Sequence, residues 1–217
     1  MILAAGRGKR MMPLTKNTPK PLIKIQNKPL IEHSINSLKR ANIKHIVINT
    51  SYLAQQLKSH LGNGADFGVH IIYSNEENSP LETAGGIIKA LPLLGKRPFL
   101  VLNSDVICDY DLSKFKLPAG SLAHLLLVDN PAHNPAGDFT LSAAGAVKIQ
   151  AENPLTFAGI GIYHPDFFQE YLGKTQKIPL AKLFKKASKN QQLSGEYFGG
   201  FWQDIGTPES VEFANNS

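Results

Sequence analysis

Glycines and basic residues follow the first apolar segment of the chain, and together they suit the binding of phosphate. Residues 1–5 are apolar, and the glycine loop (residues 6–10, Gly-Arg-Gly-Lys-Arg) comes directly after them. A buried strand that opens into Gly-x-Gly brings backbone N–H groups close to phosphate oxygens, because glycine has no Cβ and tolerates positive φ. Arg7, Lys9 and Arg10 add positive charge there. We therefore expect a nucleoside triphosphate at this loop.

Three residues outside the glycine loop, Lys20, Asp105 and Asp204, add charged groups that suit the binding of phosphate and metal. Lys20 lies between Pro19 and Pro21, and Asp105 and Asp204 each follow an expected strand. Mg²⁺ takes few protein carboxylates and keeps water and phosphate oxygens as its other ligands, so the two aspartates are the expected metal ligands. The alternative is a helix or turn cap for Asp105 and an N-cap for Asp204. With the glycine loop, these groups form a set suited to phosphoryl transfer.

The elements expected around these residues alternate between strands and helices in the first half of the chain. Strands are predicted at 2–5, 43–49, 69–73 and 98–103, and helices at 29–41, 52–61 and 83–91, the last stopped by Pro92. Such alternation predicts a mostly parallel sheet with helices on both faces. Ligands of these sheets bind beyond the carboxyl ends of the strands, so the glycine loop and Asp105 are expected to face one crevice.

The second half of the chain is expected to be mixed α+β and to cover one side of that crevice. Strands are predicted at 122–129, within 139–150, at 156–164 and at 199–205, and helices at 180–188 and 208–214. No repeat or clear linker is visible. We therefore expect a single domain over residues 1–217, with lobes at 1–110 and 111–217.

Composition narrows the class of protein. The 217 residues carry a net charge of 23 − 17 = +6, which suits an anionic partner. Basic residues interleaved with exposed aromatics are scarce, so no nucleic-acid partner is expected. No apolar run approaches the roughly 20 residues of a membrane span, and the start does not resemble a signal peptide. Cys108, the single cysteine, fits a reducing cytoplasm and is expected to be buried rather than nucleophilic.

The combined motifs resemble those of the sugar-1-phosphate nucleotidylyltransferases, the nucleotide-sugar pyrophosphorylases. The resemblance rests on residues 3–11, 18–21, 81–86, 103–105 and 202–207, in the order in which the family has them. It implies a Rossmann-like α/β fold of the glycosyltransferase-A type, with a mixed, mostly parallel central sheet and helices on both faces. It also implies the reaction of a nucleoside triphosphate with a sugar 1-phosphate to give a nucleotide sugar and pyrophosphate, with Mg²⁺ as cofactor.

Four segments are similar to one subgroup of this family, the N-acetylmuramate-1-phosphate uridylyltransferases of cell-wall recycling. These are residues 81–86, 128–131, 137–139 and 194–196. The similarity implies UTP and N-acetylmuramate 1-phosphate as substrates, in the cytoplasm, and a monomer or small homo-oligomer. It also implies a nucleotide-binding lobe at 1–110 and a sugar-binding lobe at 111–217. One to three residues are expected ahead of Met1, since the chain starts directly at a strand.

Three alternatives stay open at this point. Within the family these are a mannose-1-phosphate guanylyltransferase and a glucose-1-phosphate thymidylyl- or uridylyltransferase. A non-catalytic module that binds nucleotide sugars comes from a different class. An NAD-binding oxidoreductase is disfavoured, because Met11 replaces the third glycine of Gly-x-Gly-x-x-Gly and no clear acidic ribose ligand follows.

The resemblance also assigns roles to positions of this chain. Arg10 is expected to face the leaving pyrophosphate and Lys20 the transferred α-phosphate, while Asp105 and Asp204 are expected to hold Mg²⁺. The nucleotide-binding residues are expected to be Leu3, Ala5, Gly6, Arg7, Gly8, Arg10, Lys20, Glu82, Gly85 and Asn103. The sugar-binding residues are expected to be Thr83, Asp138, Glu152 and Gly159, with a surface turn as the alternative for Asp138 and Glu152. Ser104 departs from the family pattern, which usually has glycine there.

Overall fold

A computed structural model describes residues 1–76, 81–149, 152–174 and 177–216. It contains a mixed, mostly parallel sheet of seven strands with helices, which confirms the predicted fold class. The chain divides into two compact units. Unit 1 comprises Met1–Pro80, Leu102–Ser113 and Phe201–Ser217, and unit 2 comprises Leu81–Val101 and Lys114–Gly200. The functional lobes at 1–110 and 111–217 stay a prediction.

The helices and strands have the following bounds. The helices are α1 (Leu30–Arg40), α2 (Ala54–Leu61), α3 (Glu82–Leu94), α4 (Leu180–Lys189) and α5 (Pro208–Asn216). The strands are β1 (Ile2–Leu3), β2 (Lys24–Ile25), β3 (Lys28–Pro29), β4 (His45–Thr50), β5 (His70–Asn75), β6 (Phe99–Asn103), β7 (Val106–Cys108), β8 (Ala123–Val128), β9 (Phe139–Leu141), β10 (Val147–Ile149), β11 (Thr156–Tyr163), β12 (Leu193–Tyr197) and β13 (Trp202–Asp204). Within the described part of the chain, no helix has the length and apolar character of a membrane span.

Unit 1 contains parallel strand pairs whose carboxyl ends meet at one edge. β1 pairs with β4 on one side and with the end of β6 on the other, and β5 pairs with β4. Five of the six residues of β4 are buried, as expected for a strand flanked on both sides. α1 buries Leu30, Ile31, Ile35 and Leu38, and the steps of four and three residues from Ile31 to Ile35 to Leu38 place them on one helix face. β1 ends after two residues, so the chain leaves the sheet just before the glycine loop.

A small apolar cluster in unit 1 includes the residues that follow Arg10 and Asp204 in the chain. It consists of Met11, Ile25, Leu30, Ile205 and Ala214, all buried. Met11 follows Arg10 and Ile205 follows Asp204 in the chain. Burial of these two neighbours therefore holds the backbone of both charged residues.

Unit 2 is built around the buried strand β8. β11 pairs with β8 in the antiparallel direction and β12 in the parallel direction. α4 buries Leu183, Phe184 and Ala187. The described residues after position 110 contain both strands and helices, as predicted for the second half of the chain.

Two predictions of local structure were wrong. Pro92 does not stop the third helix, because α3 continues to Leu94 and Gly95 caps it by donating its N–H to the Leu91 carbonyl. A proline this close to the helix end removes one hydrogen bond, and only one turn is affected. The strand expected at 199–205 starts only at Trp202. The strands β2, β3, β7 and β12 were not predicted, and Gln150 lies outside the described residues.

Candidate active site

The glycine loop begins where backbone pairing of β1 ends. The Leu3 carbonyl accepts from the N–H of Ser104 at 3.1 Å, and the N–H of Ala4 donates to Asn49 Oδ1 at 2.8 Å. Beyond this point Gly6 and Arg7 are exposed. The loop therefore leaves a fixed strand end and presents its backbone to solvent, as a phosphate-binding loop requires.

The two glycines of the loop have different structural requirements. Gly8 has φ +62°, and a Cβ there would lie 3.0 Å from both Lys20 Cβ and Thr15 Cγ2. Thr15 Oγ1 also donates to the Gly8 carbonyl at 2.8 Å. By contrast, a Cβ at Gly6 would meet none of the described residues within 4 Å. The fold therefore requires glycine at position 8, whereas the role of Gly6 in nucleotide binding stays a prediction.

Lys20 and Asp105 are in direct contact within unit 1. Lys20 starts a short 3₁₀ turn, and the buried ring of Pro21 anchors the backbone next to it. Its Nζ donates to Asp105 Oδ2, with the Lys20 side chain 12% exposed and that of Asp105 28%. The lysine is thus held beside a carboxylate predicted to bind metal.

Asp105 and Asp204 are brought together by the pairing of β7 with β13. Val106 is opposite Asp204 in this antiparallel pair, and the N–H of Ile205 donates to the Asp105 carbonyl at 2.8 Å. Both carboxylates therefore belong to the same end of one two-stranded ribbon. In the part of the chain that the structure describes, no group of three or more His, Cys, Asp or Glu side chains could hold a metal. Two carboxylates without a full cage fit Mg²⁺, which keeps water and phosphate oxygens as ligands.

Arg10 and Asp204 both approach Gly206. A Cβ on Gly206 would lie 3.5 Å from Arg10 Nη2 and 3.6 Å from Asp204 Oδ2. Three observations therefore connect the four residues predicted to be catalytic: the Lys20–Asp105 ion pair, the backbone pairing next to Asp105 and Asp204, and the approach of Arg10 and Asp204 to Gly206. They offer two cations and two carboxylates in one unit, although the catalytic role of each remains a prediction.

Several supporting residues were missed by sequence reasoning. Arg7 Cζ lies 5.1 Å from the centre of the Tyr52 ring, and Tyr52 Oη donates to the Lys16 carbonyl at 2.8 Å. Asn49 and Glu76 are buried polar residues at or just after the carboxyl ends of β4 and β5. A polar residue at the end of an apolar strand was the signal that could have identified Asn49.

The predicted residues of α3 lie in unit 2. Glu82 begins the helix with φ +60°, and the side chains of Glu82 and Thr83 are exposed. Gly85 is buried, and its N–H and that of Ala84 donate to the Ile178 carbonyl at 3.3 and 3.0 Å. The backbone donors of this first turn are therefore already partly bonded, which leaves side chains as the accessible groups.

The predicted sugar-binding residues of unit 2 lie in turns and in a strand irregularity. Asp138 accepts from Asn134 Nδ2 at 3.2 Å through Oδ1 and from the Phe157 N–H at 2.9 Å through Oδ2. This bonding supports the turn alternative for Asp138. Glu152 is exposed, while Gly159 is buried with φ +72° where the register of β11 shifts.

Cys108 lies in β7, next to the metal-binding candidates. Burial raises the pKa of its thiol to about 11. The thiol is therefore protonated at neutral pH, as a structural cysteine should be rather than a nucleophile.

The chain is similar to known proteins along its length. The family model described as "Nucleotidyl transferase" matches residues 1–217. The chain is 47% identical over 215 residues to N-acetylmuramate alpha-1-phosphate uridylyltransferase of Neisseria meningitidis serogroup B, covering 95% of this chain and 92% of that protein. It is 34% identical over 221 residues to mannose-1-phosphate guanylyltransferase catalytic subunit beta of Drosophila melanogaster, covering 96% of this chain and 59% of that protein.

Two solved structures share the fold. HddC from Yersinia pseudotuberculosis complexed with GMP-PN gives a TM-score of 0.81 at 21% identity, covering 99% of this chain and 96% of that one. UDP-glucose pyrophosphorylase complexed with UDP-glucose gives a TM-score of 0.80 at 20% identity, covering 99% of this chain and 95% of that one. Given the match of the family model to the whole chain and the identity to its relatives, this chain belongs to the nucleotidyl transferase family.

Proposed function

We propose that this chain transfers a uridylyl group from UTP to N-acetylmuramate 1-phosphate and forms UDP-N-acetylmuramate and pyrophosphate. The observation that carries the proposal is the 47% identity, over 95% of this chain, to a protein named for that reaction. The contact between Lys20 and Asp105 and the pairing of β7 with β13 support it from the structure. The reaction would serve cell-wall recycling in the cytoplasm.

The chemistry needs no general base. An oxygen of the sugar phosphate is already a negatively charged nucleophile, and it attacks the α-phosphorus of UTP. The new phosphorus–oxygen bond forms as the bond from the α-phosphorus to the bridging oxygen breaks. Pyrophosphate leaves with that electron pair, so atoms and charge balance without an added proton.

The chief barrier is the approach of two polyanions, and cations of unit 1 lower it. Arg10 faces the β- and γ-phosphates and receives the leaving pyrophosphate. Lys20 supplies positive charge beside the transferred phosphate. A divalent cation held by Asp105 and Asp204 would neutralise further phosphate charge when bound. Fixed positive charge of this kind stabilises a transition state without reorganisation.

The glycine loop holds the triphosphate through its backbone. Gly6 admits a phosphate oxygen close to the chain, since no atom of the described residues lies within 4 Å of where its Cβ would be. Gly8 sets the turn that brings Arg10 back toward Gly206. Glu82 and Gly85 would line the base pocket, and Thr83, Asp138, Glu152 and Gly159 would line the sugar pocket.

A mannose-1-phosphate guanylyltransferase is the second candidate, favoured by the 34% identity to a subunit of that name. The two functions differ in both the base and the sugar. We would assay UTP, GTP and dTTP against N-acetylmuramate 1-phosphate, mannose 1-phosphate and glucose 1-phosphate, and measure pyrophosphate release. The proposal expects the highest kcat/KM for UTP with N-acetylmuramate 1-phosphate. A higher value for GTP with mannose 1-phosphate would refute it.

A further inference from the structure

We propose that Glu76 and Asn49 are positioning residues that hold the start of the glycine loop in register for the triphosphate. Neither residue belongs to the predicted catalytic set. The proposal rests on the proposed function only in that the glycine loop binds a nucleoside triphosphate.

Asn49 bonds to the chain where the strand ladder ends. β1 has only two residues, and its last one, Leu3, is opposite Asn49 in the parallel pair with β4. The next N–H, that of Ala4, donates to the side-chain oxygen Oδ1 of Asn49 at 2.8 Å. A side-chain amide therefore takes over from the backbone at the residue where the chain turns away from the sheet.

Glu76 determines which end of this amide faces Ala4. Asn49 Nδ2 donates to Glu76 Oε1 at 2.6 Å. A carboxylate accepts hydrogen bonds, so it selects the NH₂ group of Asn49 and leaves Oδ1 turned toward Ala4. With the opposite orientation, the NH₂ group would meet the N–H of Ala4, donor against donor.

Burial makes this arrangement stiff. Asn49 and Glu76 are each 3% exposed. The backbone of Glu76 is itself fixed, because its N–H donates to the Thr50 carbonyl at 2.8 Å. Buried polar groups are strongly constrained by their partners, since an unmatched donor or acceptor there is unfavourable. The relay from Glu76 to Asn49 to Ala4 thus crosses the carboxyl ends of β5, β4 and β1.

The consequence lies two residues downstream, at Gly6. In-line transfer depends on accurate placement of the triphosphate, and a shift of about 1 Å can reduce a rate by about 10²-fold. Because the hydrogen bond to Asn49 fixes the N–H of Ala4, we expect the N–H groups of the glycine loop that follows to stay in place. We therefore expect loss of the relay to weaken nucleotide binding more than it affects the sugar phosphate.

The test compares Asn49→Ala, Glu76→Ala and Glu76→Gln with Leu61→Ala. Leu61 is buried in α2 of the same unit, outside the strand ends that carry the relay, so its variant controls for loss of stability. For N49A and E76A we expect the KM for UTP to rise about tenfold and the KM for the sugar phosphate to stay within twofold. For E76Q we expect a KM within twofold of wild type, since a glutamine Oε1 still accepts from Asn49. L61A should lower Tm but leave both KM values unchanged.

Two results would overturn the proposal. In the first, N49A and E76A lower Tm as L61A does, but the KM for UTP stays unchanged. Asn49 and Glu76 would then have only a structural role. The other is equal loss of UTP binding in E76A and E76Q, which would deny the orienting role of the acceptor. GTP and dTTP are run in parallel. If wild type prefers one of them and the variants weaken that nucleotide, the proposed function fails and the positioning role stands.

Discussion

Lys20 and Asp105, 85 residues apart in the chain, form an ion pair within unit 1. The pair places an ammonium group on a carboxylate that is predicted to bind the divalent cation. With a metal and a triphosphate both present, we expect Asp105 to bind the metal and Lys20 to turn to phosphate oxygens. Without nucleotide, we expect the lysine and the metal to compete for Asp105.

Replacing Lys20 tests this competition. We expect Lys20→Met to reduce kcat about 10²- to 10³-fold, because one fixed cation next to the transferred phosphate is lost. We also expect K20M without nucleotide to bind Mn²⁺ more tightly than wild type, measured by electron paramagnetic resonance. Lys24→Met, an exposed lysine of β2, is the matched control and should change neither quantity. Normal turnover by K20M would contradict the role of Lys20.

Removing either aspartate tests the metal site. We expect Asp105→Asn and Asp204→Asn each to lose at least about 10²-fold in kcat and to weaken Mn²⁺ binding in the presence of UTP. Asp66→Asn, in an exposed turn of the same unit, should behave as wild type. In the wild type, EDTA should stop pyrophosphate release and added Mg²⁺ should restore it. Retained Mn²⁺ affinity in both variants would place the metal elsewhere.

The two glycines of the loop should respond differently to alanine. Gly6→Ala should leave Tm unchanged, because the added Cβ meets no atom in the described part of the chain, and should raise the KM for UTP about tenfold by blocking phosphate approach. Gly8→Ala should lower the free energy of unfolding by about 1–2 kcal/mol, because alanine is strained at positive φ. Thermal unfolding and steady-state kinetics measure both effects. An unaffected KM in G6A would mean that Gly6 does not approach a ligand.

Glu82 adopts a backbone conformation that glycine would adopt more easily. Among the described residues its carboxylate has no hydrogen-bond or ion-pair partner, so nothing in that part of the chain compensates the strain. We expect Glu82→Gly to stabilise the protein by about 1 kcal/mol and to raise the KM for UTP or reduce the preference for UTP over GTP. Gln191→Gly, at φ +57° in an exposed turn, is the matched control and should stabilise without a kinetic effect. Unchanged kinetics in E82G would remove Glu82 from the nucleotide-binding set.

The thiol of Cys108 should be unreactive at neutral pH. Burial raises its pKa to about 11, so the thiolate, which is the nucleophile, is scarce below that pH. We expect alkylation of the native protein by iodoacetamide to be slow at pH 7–8 and to accelerate as the pH approaches 11. Cys108→Ser should retain wild-type kcat. Rapid alkylation at pH 7 with loss of activity would contradict a structural role.

The amino-acid sequence by itself determined the alternation of strands and helices and the glycine loop. These are local properties, since apolar spacing selects an element and glycine permits a turn without help from distant residues. The segments around Lys20, Asp105 and Asp204 could also be identified from sequence, because their residue types are those that phosphoryl transfer needs.

The tertiary structure decided how these residues are combined. The Lys20–Asp105 pair and the opposition of Val106 and Asp204 depend on strand pairing between distant segments, which no local pattern specifies. The same holds for the relay from Glu76 through Asn49 to Ala4, whose orientation follows from burial and hydrogen-bond matching. Pro92 failed as a helix stop because the packing of α3 outweighs a single lost hydrogen bond. Residue types in the sequence therefore identify the candidate site residues, and long-range packing determines which of these residues contact each other.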